Sequence, residues 1–472
     1  MDHSGELEPS SSPASPRSRA LSLLRRWGWN ATGFQGLEEG FHYYFDRDDA
    51  CVAYVDTGRA WVVAGAPIGP HERIASVVRN FVARAEGEGR RVCFFAVEER
   101  FVERTGLPAI LVGEQPTWDP RRWERTLSSR PSLREQLRRA RAKGVRVRRV
   151  PTEEIVDPKG KVRLAFESLV ATWVGTRAMP RMRFLVDVQL FSFPEERRYF
   201  AAEREGVVEG FLVAVPIFAR DGWLIEDLVR APAAPNGTAE LLVHEAMTTF
   251  AHAGASYATL GLAPLSGAVP RRLGVFRRWA SGLYDFEGIR AFKSKLGPHT
   301  WDPVYLAHPH DGSANVALYD VLAAFAGGSF VGFGVKTLLR GPAIVLRALA
   351  VLLVPWTILL ATASPSWFPS RAVQGTWVVF DVMLGVILFF LALRWRRWLG
   401  VALASVVTVD ATLTCIEATF YNLPRAHSLT TFVVLGAACL GPSLGALALW
   451  GAVKRDPTAH VDAHRKRAAA AR

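Results

Sequence analysis

Two short stretches hold the side chains from which a reaction centre could be assembled. In "EDLVRAPAAPNG", Asp227 stands three positions before Arg230 at the end of an apolar run. A carboxylate there can pair with the guanidinium and orient a substrate, or take a proton as a base if it is partly buried. Glu226 points to the opposite side if the strand persists. In "LYDFEGIRAFKSKLGPHTWDPVYLA", Arg290, Lys293 and Lys295 fall among aromatic residues, a mixture suited to a nucleic acid or to lipid headgroups. The two lysines alternate in an extended chain and diverge by about 200° in a helix. Phe292 and Leu296 read as buried together, which favours Lys293 for the interior, and contact with lipid phosphate is the simpler role for either lysine.

A third stretch, "SLREQLRRARAKG", carries charge rather than chemistry. Nine basic residues stand between 130 and 149 against one acid. Ser132 followed by Glu135 reads as a capping box, and Gly144 as the helix stop. Leu133, Leu137 and Ala140 form one stripe, leaving Arg134, Arg138 and Arg141 on another face. The strand "VRVRRV" adds Arg146, Arg148 and Arg149. Arginine is the better fork for phosphate, so an RNA or phosphate-rich ligand competes here with a plain solvated face.

These residues need elements to position them. From Phe41, "FHYYF", "ACVAYV", "AWVVAGAPIG", a helix over about 72–87 and "RVCFFAV" predict a mixed α/β unit. In a second unit, "GVVEGFLVAVPIF", "GWLIEDLVR" and "YATLGLA" are core strands, with a helix over about 238–252 between the last two. Strand, strand, Gly-containing turn, helix, strand is the order of an acetyltransferase-like core. Such cores hold the pyrophosphate of coenzyme A on a Gly-rich turn at the helix start. Here that turn, "RAPAAPNGTAELL", is proline-rich with the single glycine Gly237, a poor coenzyme A signal.

The 472 residues exceed one ordinary core, and their hydrophobicity is uneven. Up to about residue 310 apolar and charged positions alternate, whereas 341–452 is mostly Leu, Val, Ala and Phe. Four apolar runs, about 343–363, 372–393, 399–420 and 429–452, are long enough to cross a bilayer. Lys336, Arg340 and Arg347 precede the first, Arg394, Arg396 and Arg397 lie between the second and third, and Lys454 and Arg455 follow the last. By the positive-inside rule, the amino-terminal part and the tail face the cytoplasm. The Ser/Pro-rich start has no apolar run, reads as a disordered lead and shows no secretory signal. Cys51, Cys93, Cys415 and Cys439 form no CxxC pair, so neither a disulfide framework nor a cysteine metal site is indicated. The net charge of +13 fits anionic lipid or nucleic acid as well as solubility.

"EDLVRAPAAPNGTAELL", "TLGLAPLSG" and "YDFEGIRAFKSKLGPHTWDPVYLA" resemble three signature blocks of the carboxyl-terminal catalytic domain of phosphatidylglycerol lysyltransferases. The "SLREQLRRARAKG" helix is similar to the one opening the second half of that domain, and the resemblance covers about 40–307. It implies an α/β fold of tandem acetyltransferase-like (GNAT-like) domains, followed here by an all-α four-helix transmembrane region. It also implies an aminoacyl-tRNA donor, phosphatidylglycerol or a related lipid as acceptor, and no cofactor or metal. On the family pattern, Asp227, Arg230 and Lys293 fall in the active centre. Asn236, Gly237, Ser266, Arg290 and Lys295 would surround the substrate, while Arg134, Arg138, Arg139, Arg141, Arg146 and Arg148 would meet the tRNA. Members with the full resistance function carry a long multi-span portion before this domain; here the expected spans follow it.

The expected organisation is a disordered lead (1–32), a first domain (33–129), a second, catalytic one (130–310), a juxtamembrane linker (311–340), four membrane helices (341–453) and a basic cytoplasmic tail (454–472). The expected location is the cell inner membrane, multi-pass, with the catalytic domains and both termini in the cytoplasm. Two other functions stay open: a coenzyme-A-dependent N-acyltransferase, and a non-catalytic membrane-anchored module binding RNA or anionic lipid. His244 and His252 are expected to cap or face solvent, and Ser266 lies in a plain turn with no nucleophile elbow.

Overall fold

The computed structural model describes residues 15–176, 182–270, 273–274, 285–330, 332–333, 342–364, 367–393, 396–426 and 428–454. Residues 1–14 of the expected lead, Lys336, Arg340, Arg394 and the tail from Arg455 lie outside the described residues. The chain forms two compact units, one essentially up to Phe330 and one from Val331 onward.

The first unit is built on one 12-stranded sheet. Its strands are β1 (His42–Asp46), β2 (Ala50–Asp56), β3 (Ala60–Ala64), β4 (Arg91–Glu98), β5 (Ala109–Trp118), β6 (Arg146–Val150), β7 (Arg198–Arg204), β8 (Val207–Ile217), β9 (Gly222–Arg230), β10 (Tyr257–Thr259), β11 (Ala263–Pro264) and β12 (Thr300–Ala307). They run in the order β1-β2-β3-β4-β12-β5-β10-β9-β8-β7-β6, with β11 beside β5. Two similar patterns lie within that order. β1, β2 and β3 are antiparallel neighbours, and β3 runs parallel to β4 after the helix Ile74–Gly87. Likewise β7, β8 and β9 are antiparallel, and β9 runs parallel to β10 after the helix Thr238–His252.

The last strand of each half is exchanged. β5 from the first half pairs antiparallel with β10, while β12 from the second inserts between β4 and β5. A boundary at residue 129/130 therefore separates strands that share hydrogen bonds. Neither half has a closed sheet without the strand lent by the other, since an unpaired edge leaves backbone groups without partners.

Two expected non-structured segments are ordered. In place of a lead disordered to residue 32, the helix Pro16–Trp27 is capped by the Ser15 side chain and buries Ala20, Leu21, Leu23 and Leu24. That apolar stripe outweighs the Ser/Pro bias before it. Within the expected linker, the helix Ala314–Phe325 packs Ala317, Val321 and Ala324 into the core around Phe95 and Leu306. Its buried Asp320 is held by Arg91 through bonds of 2.9 and 2.6 Å.

The second unit contains the helices Pro342–Thr362, Arg371–Leu393, Arg397–Glu417 and Leu429–Lys454. Three of the four expected spans, Arg371–Phe389, Arg397–Arg425 and Thr431–Lys454, are long and apolar enough to cross a membrane. The first helix contributes the apolar stretch Leu349–Thr362 among the described residues, and Pro355 inside it interrupts the helical hydrogen bonding.

Candidate active site

β9 is paired on both sides only at its beginning. Gly222, Trp223 and Leu224 face Tyr257, Ala258 and Thr259 of β10; from Ile225 to Arg230 the strand is paired with β8 alone. The sheet divides there, and the divided stretch contains Asp227 and Arg230. On the β8 side Val213 faces Asp227 and Ala214 faces Ile225, so Glu226 is the extra residue of a β-bulge. A bulge breaks strict alternation. Glu226 therefore joins Asp227 at one charged cluster instead of pointing away from it.

The centre of that cluster is Arg197, which is only 1% exposed. Its guanidinium donates to Glu226 and Glu38, and its Nε donates to the Ser192 carbonyl at 2.8 Å. The Ser192 hydroxyl donates to Glu38 at 2.6 Å, and Arg17 lies 3.7 Å from the same carboxylate. Negative charge is in excess. Burial and the neighbouring Glu226 raise the Asp227 carboxyl well above its usual range despite Arg197. Burial also pushes Glu38 up to about 7, against the attraction of Arg197. Glu38 therefore exchanges its proton near neutrality, while Asp227 is shifted in the same direction by its burial and acidic neighbours. Glu38 and Arg197 are 159 positions apart, and nothing in the local sequence joins them.

Arg230 does not pair with Asp227. Three positions apart on an extended chain they leave opposite faces; Arg230 is exposed and donates to the Ala234 carbonyl at 3.3 Å. Across the division, Lys293 on the helix Phe286–Lys295 is 8% exposed and donates to the carbonyls of Leu260, Gly261 and Leu262 at 2.8, 2.9 and 2.9 Å. Burial pushes its ammonium down to about 7, while three carbonyl acceptors for three N–H donors act the other way. All three donors are thus used to hold the chain that leaves β10. Leu296 is buried with Phe292 packed beside it, as expected. Lys295 departs to the helix Thr238–His252, where it meets Glu240 at 2.6 Å.

The remaining expected substrate residues are tied into the frame. Arg290 pairs with Glu114 at 3.1 Å and lies over the Trp301 ring at 4.8 Å. The Ser266 hydroxyl donates to Ala263 and accepts from the Glu114 N–H at 2.8 and 3.2 Å, which closes the turn beside β5. Asn236 is exposed. Gly237 has φ +96°, and a Cβ there would lie 2.4 Å from the Gln136 carbonyl oxygen. The helix Pro131–Ala142 therefore sits directly on the start of the helix Thr238–His252, with Leu133, Leu137, Ala140, Leu241 and Leu242 in one core. A carbonyl oxygen at that helix start, with Glu240 in its first turn, opposes anion binding there.

On the Pro131–Ala142 helix Arg134, Arg138 and Arg141 are all exposed. The capping box does not form: Arg130 is the N-cap and makes no side-chain cap, and Glu135 instead takes Arg138 and Arg139 at 2.8 and 2.7 Å. Gly144 adopts the expected left-handed stop, φ +82°. Arg134 turns back to the Leu127 carbonyl at 2.8 Å, and Arg148 is shared by Glu154 and Glu203. Arg141 and Arg146 are exposed, and neither has an acidic partner among the described residues. His244 is not a surface residue; its Nδ1 accepts from the buried Trp123 indole at 3.0 Å. Among the described residues no cluster of His, Cys, Asp or Glu could hold a metal.

The fold is that of a known class of α/β domains. It is similar to the crystal structure of the C-terminal domain (DUF2156) of a putative lysylphosphatidylglycerol synthetase from Agrobacterium fabrum, with TM-score 0.57 and 24% identity over 66% of this chain and 98% of that one. The structure of L-PGS from Bacillus licheniformis gives TM-score 0.55 at 20% identity, over 68% and 98% of the two chains. Residues 21–308 match the family model described as phosphatidylglycerol lysyltransferase, C-terminal, and the chain belongs to that family. The phosphatidylglycerol lysyltransferase of Bacillus subtilis is 24% identical over 64% of this chain and 36% of its own length. The lysylphosphatidylglycerol biosynthesis bifunctional protein LysX of Rhodococcus jostii is 24% identical over 57% of this chain and 26% of its own. The chain thus spans about a quarter to a third of the length of the relatives it matches. The family domain is followed here by a distinct multi-helix region suited to a membrane.

Proposed function

We propose that the chain is a membrane-bound transferase that moves an aminoacyl group from aminoacyl-tRNA to a hydroxyl of phosphatidylglycerol or a similar anionic lipid. The observation that carries this reading is the acid-rich cluster around Arg197 where the sheet divides, in a chain of this family. Asp227 takes the proton of the acceptor hydroxyl as its oxygen attacks the ester carbonyl. A new ester C–O bond forms, the bond to the tRNA ribose oxygen breaks, and the proton passes to that leaving oxygen. Lys293 is a positioning residue that keeps the 260–262 segment apart from β9. The two repeated strand patterns support two acetyltransferase-like halves.

Arg141 and Arg146 are the exposed cations with which the tRNA backbone would be met, and Arg138, Arg139 and Arg148 can release their acids to phosphate. The acceptor and the catalytic unit meet at the cytoplasmic face of the membrane, held there by the apolar helices. Transfer to a coenzyme A pathway is disfavoured by the Gln136 carbonyl beside Gly237. Purified chain, radiolabelled aminoacyl-tRNA and phosphatidylglycerol vesicles should give chloroform-soluble, base-labile label that ribonuclease abolishes. Absence of label across a panel of charged tRNAs and anionic lipids, or saturable acetyl-CoA binding with transfer to an amine, would refute the reading.

A further inference from the structure

The second unit contains a half-open pocket of about 710 Å³ between its helices. Liquid water occupies about 30 Å³ per molecule and ligand pockets about 300–1,000 Å³, so this space suits an organic molecule better than a lone ion. Its walls are mostly leucine, alanine and aromatic side chains. Three carboxyl groups interrupt them: Asp381 from the helix Arg371–Leu393, and Asp410 and Glu417 from the helix Arg397–Glu417. No lysine or arginine is among the lining residues.

These acids are short of donors. Asp381 is 7% exposed, faces the cavity, and receives no hydrogen bond among the described residues. Asp410, equally buried, has only the Thr414 hydroxyl at 3.5 Å, a marginal distance. Glu417 accepts from the Trp377 indole at 3.2 Å through one oxygen, and its other oxygen is buried without a donor. An unpaired carboxyl in an apolar helix bundle is costly and calls for a partner. The three do not converge closely enough to make a metal cluster among the described residues. What fits is a group with several donors and no acceptor, attached to an apolar body: an ammonium offers three N–H donors, and the rings of Trp356 and Trp377 in the wall can face a cation.

We propose that this cavity binds an amphiphile with an ammonium headgroup, the head between Asp381 and Asp410 and the alkyl part along the leucine-lined wall. The site does not depend on the transfer reaction proposed above. Its test is equilibrium binding of radiolabelled dodecylamine and, separately, dodecanol to the full chain in zwitterionic nanodiscs, corrected for empty discs. Dodecylamine should bind saturably and at least tenfold more tightly than dodecanol. Asp381→Asn with Asp410→Asn should remove that preference and leave dodecanol binding unchanged. Gly441 lines the cavity and has open space where a Cβ would stand, so Gly441→Leu should weaken both probes without disturbing the carboxyls. Equal binding of amine and alcohol by the unaltered chain would overturn the proposal, as would a preserved amine preference in the double variant. If the double variant fails to insert, Gly441→Leu decides: undiminished amine binding places the probe elsewhere and refutes the site.

Discussion

Replacing Arg197 by Met tests whether the acid cluster is electrostatically strained in the way its partners imply. The methionine fills much of the same space but removes the one buried cation shared by Glu38 and Glu226. Breaking a buried ion pair by deleting one partner costs about 3–5 kcal/mol, and here the cost must vary with pH. In the unaltered protein Glu38, raised from an ordinary 4.5 to about 7, binds its proton more firmly folded than unfolded. Its stabilising contribution is complete below about 4.5 and is lost as pH rises through 7. Without Arg197, Glu38 loses the attraction that opposes its burial and stays neutral to higher pH. An acid held neutral in the fold and ionised when unfolded costs about 1.4 kcal/mol per pH unit. The gap between variant and parent therefore widens as pH rises through 7, where the parent's Glu38 ionises and the variant's stays neutral. Urea unfolding of the full chain in micelles, followed on the emission of buried Trp118 and Trp123, measures that gap at both pH values. A gap that is the same at pH 5.5 and 7.5, or smaller than about 1 kcal/mol at the higher value, would refute the account of the cluster.

Asp227→Asn should lower transfer at least tenfold, about 1.4 kcal/mol of barrier, and abolish the rising limb of the pH–rate profile while the fold survives; an unchanged profile would place the base elsewhere. Lys293→Met should destabilise the first unit by about 3 kcal/mol, since three buried carbonyls lose their donors, as read by urea unfolding, and near-parental stability would show that those carbonyls find water instead. Gly237→Ala, strained at φ +96° and driven against the Gln136 carbonyl, should cost at least about 1 kcal/mol and lower the unfolding midpoint. Arg134, Arg138 and Arg141 changed together to Gln should raise the KM for tRNA and reduce its salt dependence without lowering kcat; an unchanged salt slope would assign that face to solvent.

Local pattern made much of this protein legible. The strands β1–β4 and β8–β10 are apolar runs bounded by turn residues, and the helix Thr238–His252 has the limits expected for it. The apolar run from about residue 341 likewise announces membrane-length helices, because crossing hydrocarbon requires consecutive apolar residues and leaves a contiguous mark. Gly144 ends its helix as its position suggests. Such features depend on neighbours in the chain, so the chain displays them.

The site depends on distant partners, and there local pattern fails for identifiable reasons. Ideal alternation sends Glu226 away from Asp227, but one extra residue against Val213 turns Glu226 to Arg197, beside the charge that also acts on Asp227. Ser132 and Glu135 have the spacing of a capping box, yet Glu135 finds two arginines closer to hand. The exchange of β5 and β12 follows from the need to pair exposed strand edges across nearly 190 residues, a requirement that no window of sequence expresses. Residue types and periods thus announced the elements and the acid, while the tertiary structure decided which charges meet: hydrogen bonding and desolvation act between groups close in space, however far apart they lie in the chain.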